Sequence, residues 1–131
     1  MDTIAKRVKH LRELDGITQV QLAEYLKIAP FSLQRIEYGK ANPSLNTINN
    51  IANFFNVPTD YLLGNGLFAD WDVIMDNIDQ VTKKLDDEHP IAKLYAIEGR
   101  NEKELMLIFP SFVKSVKIVD GKLEITYLNM P

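Results

Sequence analysis

Apolar residues recur at helical spacing from the start of the chain. Ile4, Val8, Leu11 and Leu14 fall on one side of a helix, with Lys6, Arg7, Lys9 and Arg12 between them. Gly16 follows as a stop signal. Thr18 is a good N-cap for a second helix, whose inner face is Leu22, Ala23 and Leu26. Only "KIA" separates it from a third helix. There Pro30 suits the first turn, where its missing N–H is not needed, and Gly39 marks the end. Asn42-Pro43-Ser44 opens a fourth helix, with Leu45, Ile48, Ile51, Ala52 and Phe55 in phase. Pro58-Thr59-Asp60 opens a short fifth helix through Leu63, closed by Gly64. The pattern predicts a mainly α, five-helix domain.

The pattern changes at "GNG", Gly64 to Gly66, which places a domain boundary between 1–65 and 66–131. Beyond it, Trp71, Ile74, Ile78, Val81 and Leu85 share one stripe. Asp70, Asp72, Asp76 and Asp79 lie opposite and toward the N-terminal end, as a helix dipole favours. This predicts one helix of about 16–18 residues. At the end, "SVKIVDGKLEITYL" alternates around Asp120-Gly121, a strong two-residue hairpin signal. That turn sets Ile118 opposite Leu123, Val116 opposite Ile125, and Lys117 opposite Glu124 on the other face. Residues 91–112 read two ways. "KLYAIEG" and "KELMLIFP" suit two further strands, the reading favoured, but Asn101 and Glu104 also resemble a helical capping box. The second half is therefore a small α+β domain with a β-hairpin near 115–127. Its Trp71–Leu85 stripe suits dimerisation, or packing against the hairpin as an internal core. A peptide or protein effector acting here is compatible with the sequence, and no ligand is indicated.

Composition narrows the function classes. Of 131 residues, 46% are hydrophobic and 25% charged, as in a globular protein. There is no cysteine, which excludes disulfides, thiolate metal sites and thiol nucleophiles. The N-terminus lacks a signal-peptide core, and no run of about 18 apolar residues exists, so a cytoplasmic location without a membrane span is expected. The net charge of −3 is unevenly spread. Residues 1–64 carry seven Lys/Arg and six Asp/Glu, a net of +1; residues 65–131 carry eight and twelve, a net of −4. A phosphate-binding face must then be local and lie in the first half. His10 and His89 stand in different halves, outside any metal-ligand spacing, and no Gly-rich phosphate loop is present. Ser111, Lys114, Ser115 and Lys117 do not make a self-cleaving site, because the segment is short and Lys117 pairs with Glu124. The expectation is a protein that is not an enzyme, with no metal and no cofactor.

The third helix carries the chemistry. On a wheel of ~100° per residue, Ala29, Leu33, Ile36, Glu37 and Lys40 take one side. Phe31, Gln34, Arg35 and Tyr38 take the other. Leu33 and Ile36 are the large apolar anchors, so their side is core and the rings of Phe31 and Tyr38 face outward. Two helices joined by a tight turn, the second with an exposed outer face, can enter a major groove. The residues Leu11-Arg12, Gly16-Ile17-Thr18-Gln19, Leu22-Ala23, Leu33, Ile36-Glu37, Gly39-Lys40, Pro43-Ser44-Leu45 and Ile51-Ala52 stand in order and with matching gaps. This set resembles the Xre-type, lambda-repressor-like helix-turn-helix DNA-binding family over residues 4–63.

The resemblance implies roles. Thr18 and Gln19 begin the second helix, where the family contacts phosphate. Pro30, Phe31 and Arg35 fall where its readers enter the groove, with Gln34 and Tyr38 on the same face. Ser32 falls at a backbone- or base-contacting position. Lys40 and Asn42 fall in a phosphate-gripping loop, and Arg12 and Glu37 match a structural ion pair. Plainer roles remain open: Gln19 as a solvated first-turn residue, Arg35 as a surface partner of Glu24, Lys40 as a cation at a helix C-terminus.

Three departures matter. Ala29 replaces the usual Ser or Thr cap, at about 1 kcal/mol. Pro30 and Phe31 replace polar readers, which leaves Phe31 an apolar contact such as a thymine methyl. Near-neutral charge implies modest, salt-sensitive non-specific affinity. The function expected is a dimeric, sequence-specific transcriptional regulator, a repressor of phage or mobile-element type, on a palindromic operator in double-stranded DNA. The alternative is a protein-interaction module, such as an antitoxin or regulator partner, using the Phe31/Tyr38 face.

Overall fold

The computed structural model describes residues 2–88, 101–109 and 113–128. It divides into two compact units, Met1–Leu63 and Gly64–Pro131.

The first unit contains α1 (Asp2–Leu14), α2 (Gln19–Leu26), α3 (Pro30–Glu37), α4 (Leu45–Phe55) and α5 (Thr59–Leu63). Its core holds residues of the periodic set read from the sequence, Val8, Leu11, Leu22, Leu33, Ile51 and Phe55, joined by Leu62 of α5, all without exposed surface. Two members of that set lie outside it. Leu14 is half exposed at the last position of α1, and Leu45 is 71% exposed at the first position of α4.

Four helices stop by the same device. After α1, α2, α3 and α4 the chain turns left-handed at Gly16, Lys27, Gly39 and Asn56. The next amide donates back five residues: Ile17 to Arg12 O, Ile28 to Ala23 O, Lys40 to Arg35 O and Val57 to Ala52 O. These bonds satisfy carbonyls that a helix end would leave orphaned. At Lys27 (φ 59°) the chain adopts a conformation that suits glycine, in a side chain that resists it. Arg7 is 6% exposed; its guanidinium donates to Tyr61 O and lies over the Tyr61 ring, 5.0 Å from its centroid.

The second unit starts with a 3₁₀ turn (Gly66–Asp70), then α6 (Trp71–Asp76), α7 (Ile78–Glu88), α8 (Glu102–Ile108), β1 (Val113–Val119) and β2 (Lys122–Tyr127). The single long helix expected from Trp71 onward is broken in two at Asn77. Its amide N–H reaches both Val73 O and Ile74 O at 3.2 Å, and its side-chain Nδ2 donates to Val73 O at 2.9 Å. An Asn side chain that competes for backbone carbonyls interrupts the ladder.

The strands expected over 91–112 are not formed at 102–108. These residues form α8, because Asn101 caps it, accepting from the Glu104 N–H at 2.8 Å and donating to Glu104 Oε1 at 3.2 Å. Leu105, Met106 and Phe109 are then buried at helical spacing. The other candidate strand, 93–99, and His89 lie outside the described residues.

The hairpin has the expected antiparallel register, with Ile118 opposite Leu123, Val116 opposite Ile125 and Lys117 opposite Glu124. Positive φ at both Asp120 (52°) and Gly121 (75°) is the left-handed pair that a two-residue hairpin turn requires. Only Val113 and Val116 of β1 are buried; Ile118 and Val119 are exposed. The core centres on Trp71. Phe68 lies 5.5 Å from its ring, Phe109 stands edge-on at 5.6 Å, and the indole N–H donates to Glu102 Oε1 at 3.3 Å. Among the described residues, no helix is long and apolar enough to cross a membrane.

Candidate nucleic-acid interface

Local sequence sets the geometry of the α2–turn–α3 unit. Thr18 begins α2 with a reciprocal cap. Its hydroxyl accepts from the Gln21 N–H at 3.1 Å, and Gln21 Oε1 accepts from the Thr18 N–H at 2.9 Å. The left-handed turn at Lys27 redirects the chain within three residues. α3 then starts at Pro30 with Ala29 as its cap and no side-chain capping bond.

α3 has two distinct sides. Leu33, Ile36 and Glu37 are buried. Phe31 is 66% and Tyr38 61% exposed, while Pro30, Ser32 and Arg35 are exposed and Gln34 is half-buried. The helix ends at Glu37, so Tyr38 is its C-cap rather than its last turn. Ala29 and Lys40, placed on the core side by the wheel, are exposed, because they lie outside the helix to which the wheel applies. Lys40 and Asn42 stand exposed in the loop that follows.

Two groupings tie these side chains together. The first is buried. Arg12 Nε and Nη2 donate to the two oxygens of Glu37 at 2.8 and 2.9 Å, and Nη1 donates to Ile17 O at 3.0 Å. The Glu37 side chain has no exposed surface, and that of Arg12 is 13% exposed. Gln19 Nε2 supplies a third donor to Glu37 at 3.1 Å. The carboxylate thus binds α1, the start of α2 and the end of α3 together. Its hydrogen bond, then its charge, hold the Arg12 guanidinium above its ordinary range, against the opposing effect of burial.

The second grouping is exposed. The Arg35 guanidinium carbon lies 5.8 Å from the centroid of the Phe31 ring, one helical turn earlier. Arg35 Nη2 also donates to Lys40 O at 3.1 Å. These contacts, rather than a bond to Glu24, hold Arg35. A guanidinium over a ring at this distance is attractive by about 0.5–1 kcal/mol at an exposed site. The i, i+4 spacing of Phe31 and Arg35 was the signal for it in the sequence. Elsewhere, Tyr25 and Phe54 pack at 4.3 Å and line a groove of about 380 Å³ with Lys27, Asn50 and Asn53. Neither ring's partner was evident from periodicity.

The stripe expected to pair two copies is placed differently. Trp71, Ile74, Val81 and Leu85 are at most 1% exposed, and Ile78 is half-buried. They have almost no surface to offer a second chain. Among the described residues of this unit, the exposed large apolar ones are Leu107, Ile118, Val119 and Leu128.

A family model described as helix-turn-helix matches residues 8–62. Residues 8–62 are thus similar to the Xre-like helix-turn-helix family. That span contains every residue of both groupings. The chain is 29% identical over 122 residues to the HTH-type transcriptional regulator ImmR of Bacillus subtilis, covering 90% of this chain and 94% of that one. It is 34% identical over 62 residues to the immunity repressor protein of Bacillus phage phi105, covering 47% of this chain and 43% of that protein. Among solved structures it is similar to the N-terminal DNA-binding domain of SinR from Bacillus subtilis. There the identity is 28%, the TM-score 0.46, and the match covers 48% of this chain and 93% of that one.

Proposed function

We propose that this chain is a sequence-specific DNA-binding transcriptional repressor that reads the major groove with α3. The observation that carries the reading is the two-sidedness of α3. One side is locked into the core through Leu33, Ile36 and the Arg12–Glu37 pair. The other presents Phe31, Arg35 and Tyr38 to solvent next to Lys40 and Asn42. Relatives named as a transcriptional regulator and as an immunity repressor support the same reading.

The repressor acts in the cytoplasm as a homodimer on a palindromic operator, with half-sites about one helical turn (~34 Å) apart. Pairing is assigned to the second unit, through its exposed apolar residues rather than the buried Trp71 stripe, and that unit is also where a peptide or protein effector acts. Gln19, Lys40 and Asn42 contact phosphate; Arg35 reads a guanine.

The test is selection of bound sequences from random DNA at fixed ionic strength, followed by Arg35→Glu on the selected site. The charge reversal is expected to abolish operator binding and leave dimerisation intact. Unchanged affinity for the operator would refute the assignment. No enriched sequence, together with a protein captured through Phe31 and Tyr38, would favour the protein-interaction reading.

A further inference from the structure

The geometry points to Phe31 and Arg35 acting as one recognition unit that reads a thymine–guanine step, Arg35 taking the guanine and Phe31 the methyl of the adjacent thymine. This rests on the DNA-binding reading above and says what the operator must contain.

Both side chains project from the same exposed face, one turn apart. The Arg35 guanidinium lies over the Phe31 ring, 5.8 Å from its centroid, and is anchored through Nη2 to Lys40 O. Its fork is therefore oriented before DNA arrives. Arg reads guanine through O6 and N7 together, which brings the guanidinium into the plane of that base. Base pairs follow one another at about 3.4 Å along a strand. A ring held against a guanidinium in that plane reaches the neighbouring pair.

What the ring meets there is decided by its chemistry. Phe31 has no hydrogen-bonding atom. Laid over adenine N6, cytosine N4 or guanine O6, it would strip water from a donor or acceptor and return nothing. The thymine C5 methyl is the one apolar group that the standard bases offer in the major groove. Covering it also removes from water the ring of a residue that is 66% exposed in the free protein.

The experiment uses the full chain and the operator selected from random DNA. Each enriched half-site is expected to contain a thymine next to a guanine. Replacing that thymine by uracil deletes one methyl and is expected to weaken binding about fourfold, the factor for burying a group of that size. Phe31→Ala is expected to make thymine and uracil equivalent while keeping the guanine preference. Arg35→Ala is expected to remove the guanine preference. Enriched sites without such a step, or a uracil effect that survives in Phe31→Ala, would overturn the inference and leave DNA binding standing. Enrichment of no sequence would remove the DNA-binding reading, and the inference with it.

Discussion

Removing Arg12 should test how the buried carboxylate of α3 is held. Glu37 has no exposed side-chain surface and accepts from Arg12 at 2.8 and 2.9 Å and from Gln19 at 3.1 Å. Arg12→Met keeps most of the aliphatic volume but deletes two of these donors and the compensating charge. Breaking a buried pair from one side costs about 3–5 kcal/mol. The lower end applies here, because Gln19 remains and Arg12 itself is 13% exposed. In a domain this small, about 3 kcal/mol lowers the thermal midpoint by roughly 12–24 °C. Far-ultraviolet circular dichroism reads the helices of both units and Trp71, the single tryptophan, the second unit alone, so ellipticity lost before the Trp71 signal changes reports the first unit. The double variant Arg12→Met/Glu37→Met should be less damaged than Arg12→Met alone, because it leaves no charge without a partner. A single-variant cost below about 1 kcal/mol would refute the claim that the pair holds α1 against α3, as would a double variant at the sum of the two singles.

Two further perturbations test other parts of the molecule. Lys27→Gly removes a side chain from a left-handed position (φ 59°) in the turn between α2 and α3. It is expected to raise the stability of the first unit by up to about 1 kcal/mol, the steric relief exceeding the added freedom of the unfolded chain; a loss in denaturant melts would show that Lys27 contributes a contact instead. The Tyr127 phenol is pushed up to about 12, first by burial, then by its hydrogen bond to Glu88 and that group's charge. Its folded value lies above the unfolded one of ~10, so its stabilising effect is complete below pH ~10 and is lost as pH rises through ~12. Tyr127→Phe should flatten that part of the alkaline unfolding profile followed by Trp71 fluorescence, and an identical profile would count against the bond.

The first half of the chain is more legible than the second because its signals agree. In α2 the Thr18 cap, the Leu22-Ala23-Leu26 stripe and the short turn all favour one structure, and Pro30 and Gly39 bracket α3. In the second half, local signals compete. The stripe from Trp71 to Leu85 is continuous in period, so it reads as one helix. Nothing in periodicity weighs the amide of Asn77 bonding to Val73 O. "KELMLIF" ends in an unbroken apolar run, Leu105 to Phe109, and such a run fits a strand as well as a helix. Only the cap at Asn101 discriminates, and a cap is a weak signal until the residues behind it are seen to bury a helical face.

The interface shows the same division between position and partnership. The wheel placed Phe31, Arg35 and Tyr38 outward, and they are outward. It could not say what an outward side chain touches. Gln19 is the instructive case. By position it starts α2 and suits a phosphate; by contact it donates one amide hydrogen to the buried Glu37. These roles need not conflict, because the amide carries a second hydrogen and a carbonyl oxygen. The bond to Glu37 ties the orientation of that amide to the carboxylate that also receives Arg12. A phosphate at Gln19 would then meet a group already oriented by the element that holds α3, and loss of Arg12 would disturb both. Gln19 therefore belongs with Arg12 and Glu37 as much as with Lys40 and Asn42.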